Sequence, residues 1–246
     1  MAKFNSYIIC TSPRSGSTLL CKLLQNSGVA GVPGSYFHQA SVADWAAGVG
    51  MPKTTPLPAI MDKVKTLGQG SGTLFGLRLQ RHSFAFFCKQ LEVLQPKNAT
   101  DAARLQAEFG TVRYIHLTRE NKIEQAVSFV KAEQSGLWHQ APDGREIERL
   151  APHNAPVFDA EAIEARHVEF LAADAAWRAW FDTQNIAPLT ITYRALAANP
   201  RDVLSQVLQG LGCPAQAAQD TKIPTARLAD ETSREWISRF TKYKRA

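Results

Sequence analysis

The chain has 246 residues, 45% of them hydrophobic and 20% charged, the composition of a globular chain long enough for a sizeable core. No run approaches the ~18 uninterrupted apolar residues of a membrane-spanning helix. The start, Met1 to Ser6, lacks the apolar stretch and cleavage site of a secretory signal, so a cytoplasmic chain is expected. Net charge is +6, from 28 basic and 22 acidic residues; the excess favours anionic ligands without choosing among nucleotides, nucleic acids and acidic glycans.

Tyr7 to Thr11 is an apolar run and predicts a buried strand. A turn of small residues follows. Leucines at 19, 20, 23 and 24 then form a helical stripe over Ser17 to Gln25, with Gly28 as its left-handed cap. Gly28 to Gly34 reads as a turn or loop. Trp45, Ala46 and Val49 suggest a short helix closed by Pro52, and residues 52 to 58, with three prolines, read as a surface connection. Thr73 to Leu79 is a second strand, followed by a mixed segment to Leu94 and a break over Pro96 to Ala99. Val112 to Thr118 is a third strand. Glu120 to Glu133 is helical, with Ile123, Val127 and Val130 on one face. Residues 138 to 158 are polar, bear prolines and show no period; they read as a long loop, and long loops in compact domains are often functional.

Glu161 to Gln184 is the longest helix, its aromatic stripe facing the core. Leu189 to Tyr193 is a fourth strand, ending on Tyr193. Asn199 and Pro200 open a helix as cap and first turn, which Gly212 ends. Thr232-Ser233-Arg234-Glu235 reads as a capping box ahead of Trp236 and Phe240. The basic tail Thr241 to Ala246 reads as solvated. Cys10, Cys21, Cys88 and Cys213 fit no zinc spacing and are expected as free thiols. Strands alternate with helices, so the expectation is one α/β domain over residues 1–246, P-loop-like, with a central, mainly parallel sheet flanked by helices.

The chemistry concentrates in Ser12-Pro13-Arg14-Ser15-Gly16-Ser17-Thr18. Between a strand and a helix, this loop presents backbone N–H groups near a positive helix end and adds the hydroxyls of Ser15, Ser17 and Thr18, an anion site. Against the Walker pattern G-x-x-x-x-G-K-[ST], Thr11 stands for the first glycine and Ser17 for the lysine. The only cation in the loop is Arg14, suited to gripping one terminal anionic group bidentately. The strands at 7–11, 112–118 and 189–193 end in Thr, Thr and Tyr, with no acidic Walker B residue, which disfavours magnesium triphosphate chemistry.

Ser12 to Leu20 resembles the 5′-phosphosulfate loop of sulfotransferases that use 3′-phosphoadenosine 5′-phosphosulfate (PAPS). Gly28 to Pro33, Tyr36-Phe37, Gln125 to Phe129 and Glu235-Trp236 narrow the resemblance to the Stf0 branch. The resemblance implies sulfuryl transfer from PAPS to a hydroxyl of a carbohydrate or glycolipid, with no metal, by a protein that forms a homodimer; the +6 charge, modest and unclustered, speaks against a nucleic-acid partner. It implies that Ser12, Arg14, Ser15, Gly16, Ser17 and Thr18 hold the phosphosulfate and that Arg14 takes part in catalysis. Arg119 and Ser128 would hold the 3′-phosphate, Tyr193 would lie by the adenine, and Arg227 would reach the 3′-phosphate. An arginine at a strand's C-terminal end faces the ligand crevice of an open α/β sheet.

The Stf0 pattern G-x-P-x-E-[YF]-F has its proposed base, a glutamate, where this chain has Ser35. A serine hydroxyl cannot accept the proton unaided. His38 is the candidate base, with an imidazole of suitable pKa; His82 and His116 are others, and a carboxylate entering from a loop is a further possibility. Two different readings stay open beside the enzyme: a nucleotide-binding protein of the same fold that transfers weakly or not at all, and a P-loop kinase with a degenerate loop.

Overall fold

The structure, a computed structural model, describes residues 4–141, 143–224 and 230–244. Its centre is strand β1 (Ser6–Thr11), buried along its whole length. Side chains alternate across a strand. Ile8 and Cys10 therefore enter one core and Tyr7 and Ile9 another, on the opposite face. β2 (Phe75–Gln80) and β3 (Val112–Thr118) flank β1. A separate hairpin, β4 (Leu137–Gln140) and β5 (Glu146–Arg149), follows, and β6 (Leu189–Thr192) closes the main sheet. The main sheet runs β2-β1-β3-β6 and is parallel throughout. All four C-terminal strand ends thus share one edge. The chain leaves β1 to one side for β2 and later returns to the other side for β3, which makes that edge of β1 a topological switch point.

Ten α-helices are present among the described residues: α1 (Ser17–Asn26), α2 (Val42–Gly48), α3 (Leu57–Gln69), α4 (Arg81–Leu94), α5 (Asp101–Phe109), α6 (Lys122–Ser135), α7 (Ala160–Thr183), α8 (Tyr193–Ala198), α9 (Pro200–Leu211) and α10 (Glu231–Tyr243). Helices α1, α8 and α9 cover the Tyr7/Ile9 face, while α2 to α5 and the C-terminal half of α7 cover the other. A third cluster joins α6, the N-terminal half of α7 and α10 through Val127, Val130, Ile163, Phe170, Trp236 and Phe240.

Each expected strand is present, and Gly28 is left-handed (φ 71°) just past α1. Several expectations need correction. Helix α4 fills the segment that reads as mixed, α3 begins at the end of the stretch that reads as a connection, and α5 lies where no element is expected. In α3, Pro58 sits in the first turn, where a missing N–H costs nothing. Residues 138–158 are not all loop, because the hairpin begins there. Tyr193 does not end β6 but starts α8, since the Thr192 hydroxyl caps that helix by accepting from Ala195 N at 3.2 Å. Asn199 occupies the cap position of α9, yet its side chain makes no capping bond. The α10 cap is Asp230, accepting from Ser233 N at 2.8 Å, not a box on Thr232.

One buried charge cluster ties α7 to the sheet edge. Asp174 Oδ1 accepts from Thr118 Oγ1 at 2.5 Å and lies 3.3 Å from Lys122 Nζ and 3.5 Å from His116 Nε2. Burial alone would raise this carboxyl's pKa, but the close His116 ring, the hydrogen bond from Thr118 and the Lys122 charge outweigh it and hold the pKa well below the usual carboxylate range. A depressed folded-state pKa contributes stability that is present above the unfolded value of about 3.9 and lost as pH falls below it. Asp174→Ala leaves Lys122 buried without its carboxylate and is expected to cost about 3–5 kcal/mol. The check is urea unfolding: the wild-type advantage should be full near pH 7 and shrink below about pH 4. An advantage that does not change with pH would show that the carboxylate charge is not what holds the cluster.

Candidate active site

The loop after β1 is shaped by two left-handed residues, Arg14 (φ 61°) and Gly16 (φ 85°). Such alternation gathers successive N–H groups into a concavity that binds anions. Only glycine suits the second position: a Cβ on Gly16 would lie 2.7 Å from Cδ2 of Tyr193, whose ring packs on the turn. A left-handed arginine costs of order 1 kcal/mol or more, and the surroundings hold it in place. Gln125 Nε2 donates to Pro13 O at 2.6 Å, and Arg119 Nη1 to Arg14 O at 3.3 Å. Thr11 Oγ1 bonds both Ser15 Oγ (2.6 Å) and Leu117 O (2.7 Å). From below, Trp177 Nε1 donates to Thr11 O at 2.8 Å.

Helix α1 starts at this turn with no side-chain cap and no acidic residue in its first turn. Its N–H groups and positive dipole end are left for an anion. The cations around it have few negative partners. Arg14 donates from Nε to Ser128 Oγ at 3.0 Å and from Nη1 to Trp138 O at 2.6 Å. Burial, reinforced by the Arg119 charge, lowers the Arg14 pKa to about 10. Arg119 is buried, pairs with Glu124 at 3.1 Å and lies 4.4 Å from the centre of the Tyr193 ring. Its Nε is buried without a hydrogen-bond partner.

The residues expected from the sequence therefore gather here, with one difference in pairing. Ser128 is bonded to Arg14, while Arg119 sits with Tyr193 and Glu124 on the other flank of the turn. Ser12 and Ser15 are buried; Ser17 and Thr18 stand at the first turn of α1. Arg227 lies outside the described residues. His38 is exposed, with its ring edge-on to His82 at 4.7 Å. Burial, His82 and Arg78 together lower its pKa. His116 is buried within the Asp174 cluster.

Two residues were missed. Arg78 lies on β2 in register with Ile9. It donates from Nε to Ser35 Oγ at 2.6 Å and from Nη1 to Ser17 Oγ (3.2 Å) and Thr18 Oγ1 (3.0 Å). The segment carrying Ser35 is brought beside β2 by the bond from Arg78 N to Gly34 O at 2.9 Å. Gly31 allows that approach, because a Cβ there would lie 2.3 Å from Leu74 O. The signal was a lone charge inside the buried run Phe75-Gly76-Leu77-Arg78-Leu79. The second is His139 on β4, with Nε2 3.0 Å from Thr18 Oγ1 and 3.4 Å from Glu148 Oε2. Burial, with the charges of Arg14, Arg78 and Lys22, pushes its pKa down to about 3. No periodicity marked this short hairpin. Chemically, the turn offers backbone donors, hydroxyls and three guanidinium groups, those of Arg14, Arg78 and Arg119.

The family model for Stf0 sulphotransferase matches residues 6–243. The trehalose 2-sulfotransferase of Mycolicibacterium smegmatis is 28% identical over 258 residues, which cover 96% of this chain and 94% of that one. The trehalose 2-sulfotransferase of Mycobacterium tuberculosis is 28% identical over 262 residues, covering 95% and 93%. A crystal structure of a sulfotransferase from Alicyclobacillus acidocaldarius overlaps 98% of this chain and 93% of its own at 13% identity and a TM-score of 0.47, too loose an overlap to argue from. The family match takes in the loop, the strand that carries Arg78, Arg119 just past β3, and the hairpin: the chain belongs to the Stf0 sulfotransferase family.

Proposed function

We propose that this sulfotransferase takes its sulfuryl group from PAPS and passes it to a hydroxyl of a carbohydrate or glycolipid. The observation that carries the reading is the uncapped start of α1, ringed by Arg14 and Arg78, whose hydrogen-bond partners here are hydroxyls and one carbonyl. Such a site calls for an anion with more than one charged oxygen. The sugar acceptor is supported by the two relatives named for trehalose. The proposal includes one domain over residues 1–246, from chain length and the alternation of strands and helices, a cytoplasmic location, from the lack of a signal-like start, and a homodimer, from the family resemblance. Among the described residues, no helix is long and apolar enough to cross a membrane.

The roles follow from the chemistry. Backbone N–H groups over Ser12 to Thr18 and the hydroxyls of Ser17 and Thr18 would hold the 5′-phosphosulfate. Arg119, with its unpartnered Nε, and Ser128 would hold the 3′-phosphate, joined by Arg227. Tyr193 would lie against the adenine. Sulfuryl transfer passes through a loose arrangement in which charge builds on the oxygen that stays with the nucleotide. Donors fixed in advance at that oxygen lower the barrier; Arg14 and Arg78 would serve as such donors. His38 and His82 would line the acceptor side beside Ser35.

Thermal unfolding with ligands tests the donor. At about 100 times its Kd a ligand adds about 2.7 kcal/mol, several degrees for a chain of this size. The expected order is a clear rise with 3′,5′-ADP and much smaller rises with 5′-ADP or with ATP plus magnesium. A larger response to ATP plus magnesium would favour the degenerate kinase. A 3′,5′-ADP response without turnover would favour the binding protein that Ser35 suggests.

Substitutions should separate the charges. Arg119→Ala is expected to weaken 3′,5′-ADP binding by about 1.5–3 kcal/mol, measured by calorimetry. Arg14→Ala should abolish transfer, and Arg78→Met should lower kcat by roughly 10²–10³. Wild-type turnover in either variant would remove that arginine from the mechanism.

A further inference from the structure

With Ser35 in the position of the family's glutamate, the acceptor's proton needs another destination. Of the histidines the sequence singled out, His116 is locked against Asp174 at 3.5 Å and His82 packs against His38. His167 lies on α7, 3.7 Å from Glu164. The imidazole in contact with the anion-binding turn is His139, whose Nε2 is 3.0 Å from Thr18 Oγ1. Thr18 in turn accepts from Arg78, which also holds Ser35. His139 is thus linked through three contacts, by way of Thr18 and Arg78, to the position where the family keeps its carboxylate.

The hairpin fixes this placement. His139 and Glu148 are cross-strand partners, so their side chains stand on one face. Trp138 carries the strand: its carbonyl accepts from Arg14, and its ring meets Phe129 edge-on at 5.3 Å. Arg149 Nη1 donates to Ser135 O at 2.6 Å and closes the hairpin's far end.

We propose that His139 is the base that takes the acceptor's proton, with Glu148 the carboxylate that stabilises the imidazolium formed; this rests on the sulfotransferase reading above. In the step, the acceptor O–H bond breaks, its proton passes to Nε2, and the oxygen's electron pair forms the new O–S bond. The S–O bond to the 5′-phosphate breaks, and its electron pair leaves with 3′,5′-ADP. The imidazolium then returns the proton to water.

The charges facing His139 make this base conditional on the donor. Arg14 from the turn, Lys22 from α1 and Arg78 from β2 oppose protonation, and Glu148 from β5 favours it. In the free protein the ring is neutral but a poor proton acceptor, with a pKa of about 3. The donor's negative groups among those cations would offset their charge and raise the ring's pKa towards its ordinary value.

The test uses labelled PAPS with trehalose as the acceptor probe and water as the background acceptor, reading release of 3′,5′-ADP. His139→Gln keeps an amide able to bond Thr18 but cannot act as a base. Its kcat should fall about 10²-fold or more while the Kd for 3′,5′-ADP stays within about threefold. His38→Asn should instead raise KM for the sugar with the smaller effect on kcat. Imidazole-ring NMR supplies a readout independent of turnover: His139 should titrate well below 6.5 in the free protein and move upward with 3′,5′-ADP. Retained kcat in His139→Gln would overturn the proposal, as would a parallel loss of 3′,5′-ADP affinity or a ring that titrates near 6.5 in the free protein. If His38→Asn alone removes kcat, the role passes to His38. A wild-type protein that binds 3′,5′-ADP yet transfers to neither trehalose nor water would sink the sulfotransferase reading itself.

Discussion

Positive charge held close together without matching negative charge organises this molecule. Arg14 is bonded to a hydroxyl and a carbonyl, and Arg78 to three hydroxyls. Arg119 adds a third guanidinium, paired with Glu124. Bringing like charges together in a half-buried turn is unfavourable; burial first, and then the Arg119 charge, lowers the Arg14 pKa. An anion reverses the sign of that interaction, and in a site sheltered from water the gain exceeds what exposed pairs provide. Stability given up in the free protein thereby becomes affinity for an anionic ligand.

Such a cluster needs a rigid frame, since a turn free to move would let the arginines drift apart into water. The frame comes from beneath the sheet edge. Trp177 of α7 holds the last carbonyl of β1, Gln125 of α6 holds Pro13, and Thr11 joins the turn to β3. Asp174 anchors α7 to the end of β3 through Thr118 and Lys122. The aromatic core behind these contacts is dense: Trp177, Trp180, Phe181 and Phe84 pack ring against ring. Packed elements hold side chains to tighter geometry than loops can.

The hairpin completes the site from the opposite side. It touches the turn at two places, through Arg14 to the Trp138 carbonyl and through Thr18 to His139. Both contacts use groups that an anion would also engage. Hairpin position and ligand binding are thus coupled through shared donors, a physical link between the strand that carries His139 and the loop that holds the charge.

Much of this was legible in the residues. The four parallel strands followed from apolar runs, α1 from its leucine stripe, α9 from its Asn199-Pro200 start and Gly212 end, and the candidate anion site from a dense run of small donors between strand and helix. Ser12 to Thr18, Arg119, Ser128 and Tyr193 do converge on one edge. The Ser35 exception was visible as well. These are local signals, set by periodicity and by the needs of a tight turn. Arg78 and His139 were not legible as site residues, because nothing near them in sequence says what lies across the sheet. Arg78 meets Ser35 and Thr18, 43 and 60 residues away, and His139 meets Thr18 at a separation of 121. The parallel register of β2 on β1 and the docking of a short hairpin create those contacts. Sequence alone determined which turn carries the dense run of donors; tertiary packing decided which distant side chains stand over it, because only folding sets distances between residues far apart in the chain.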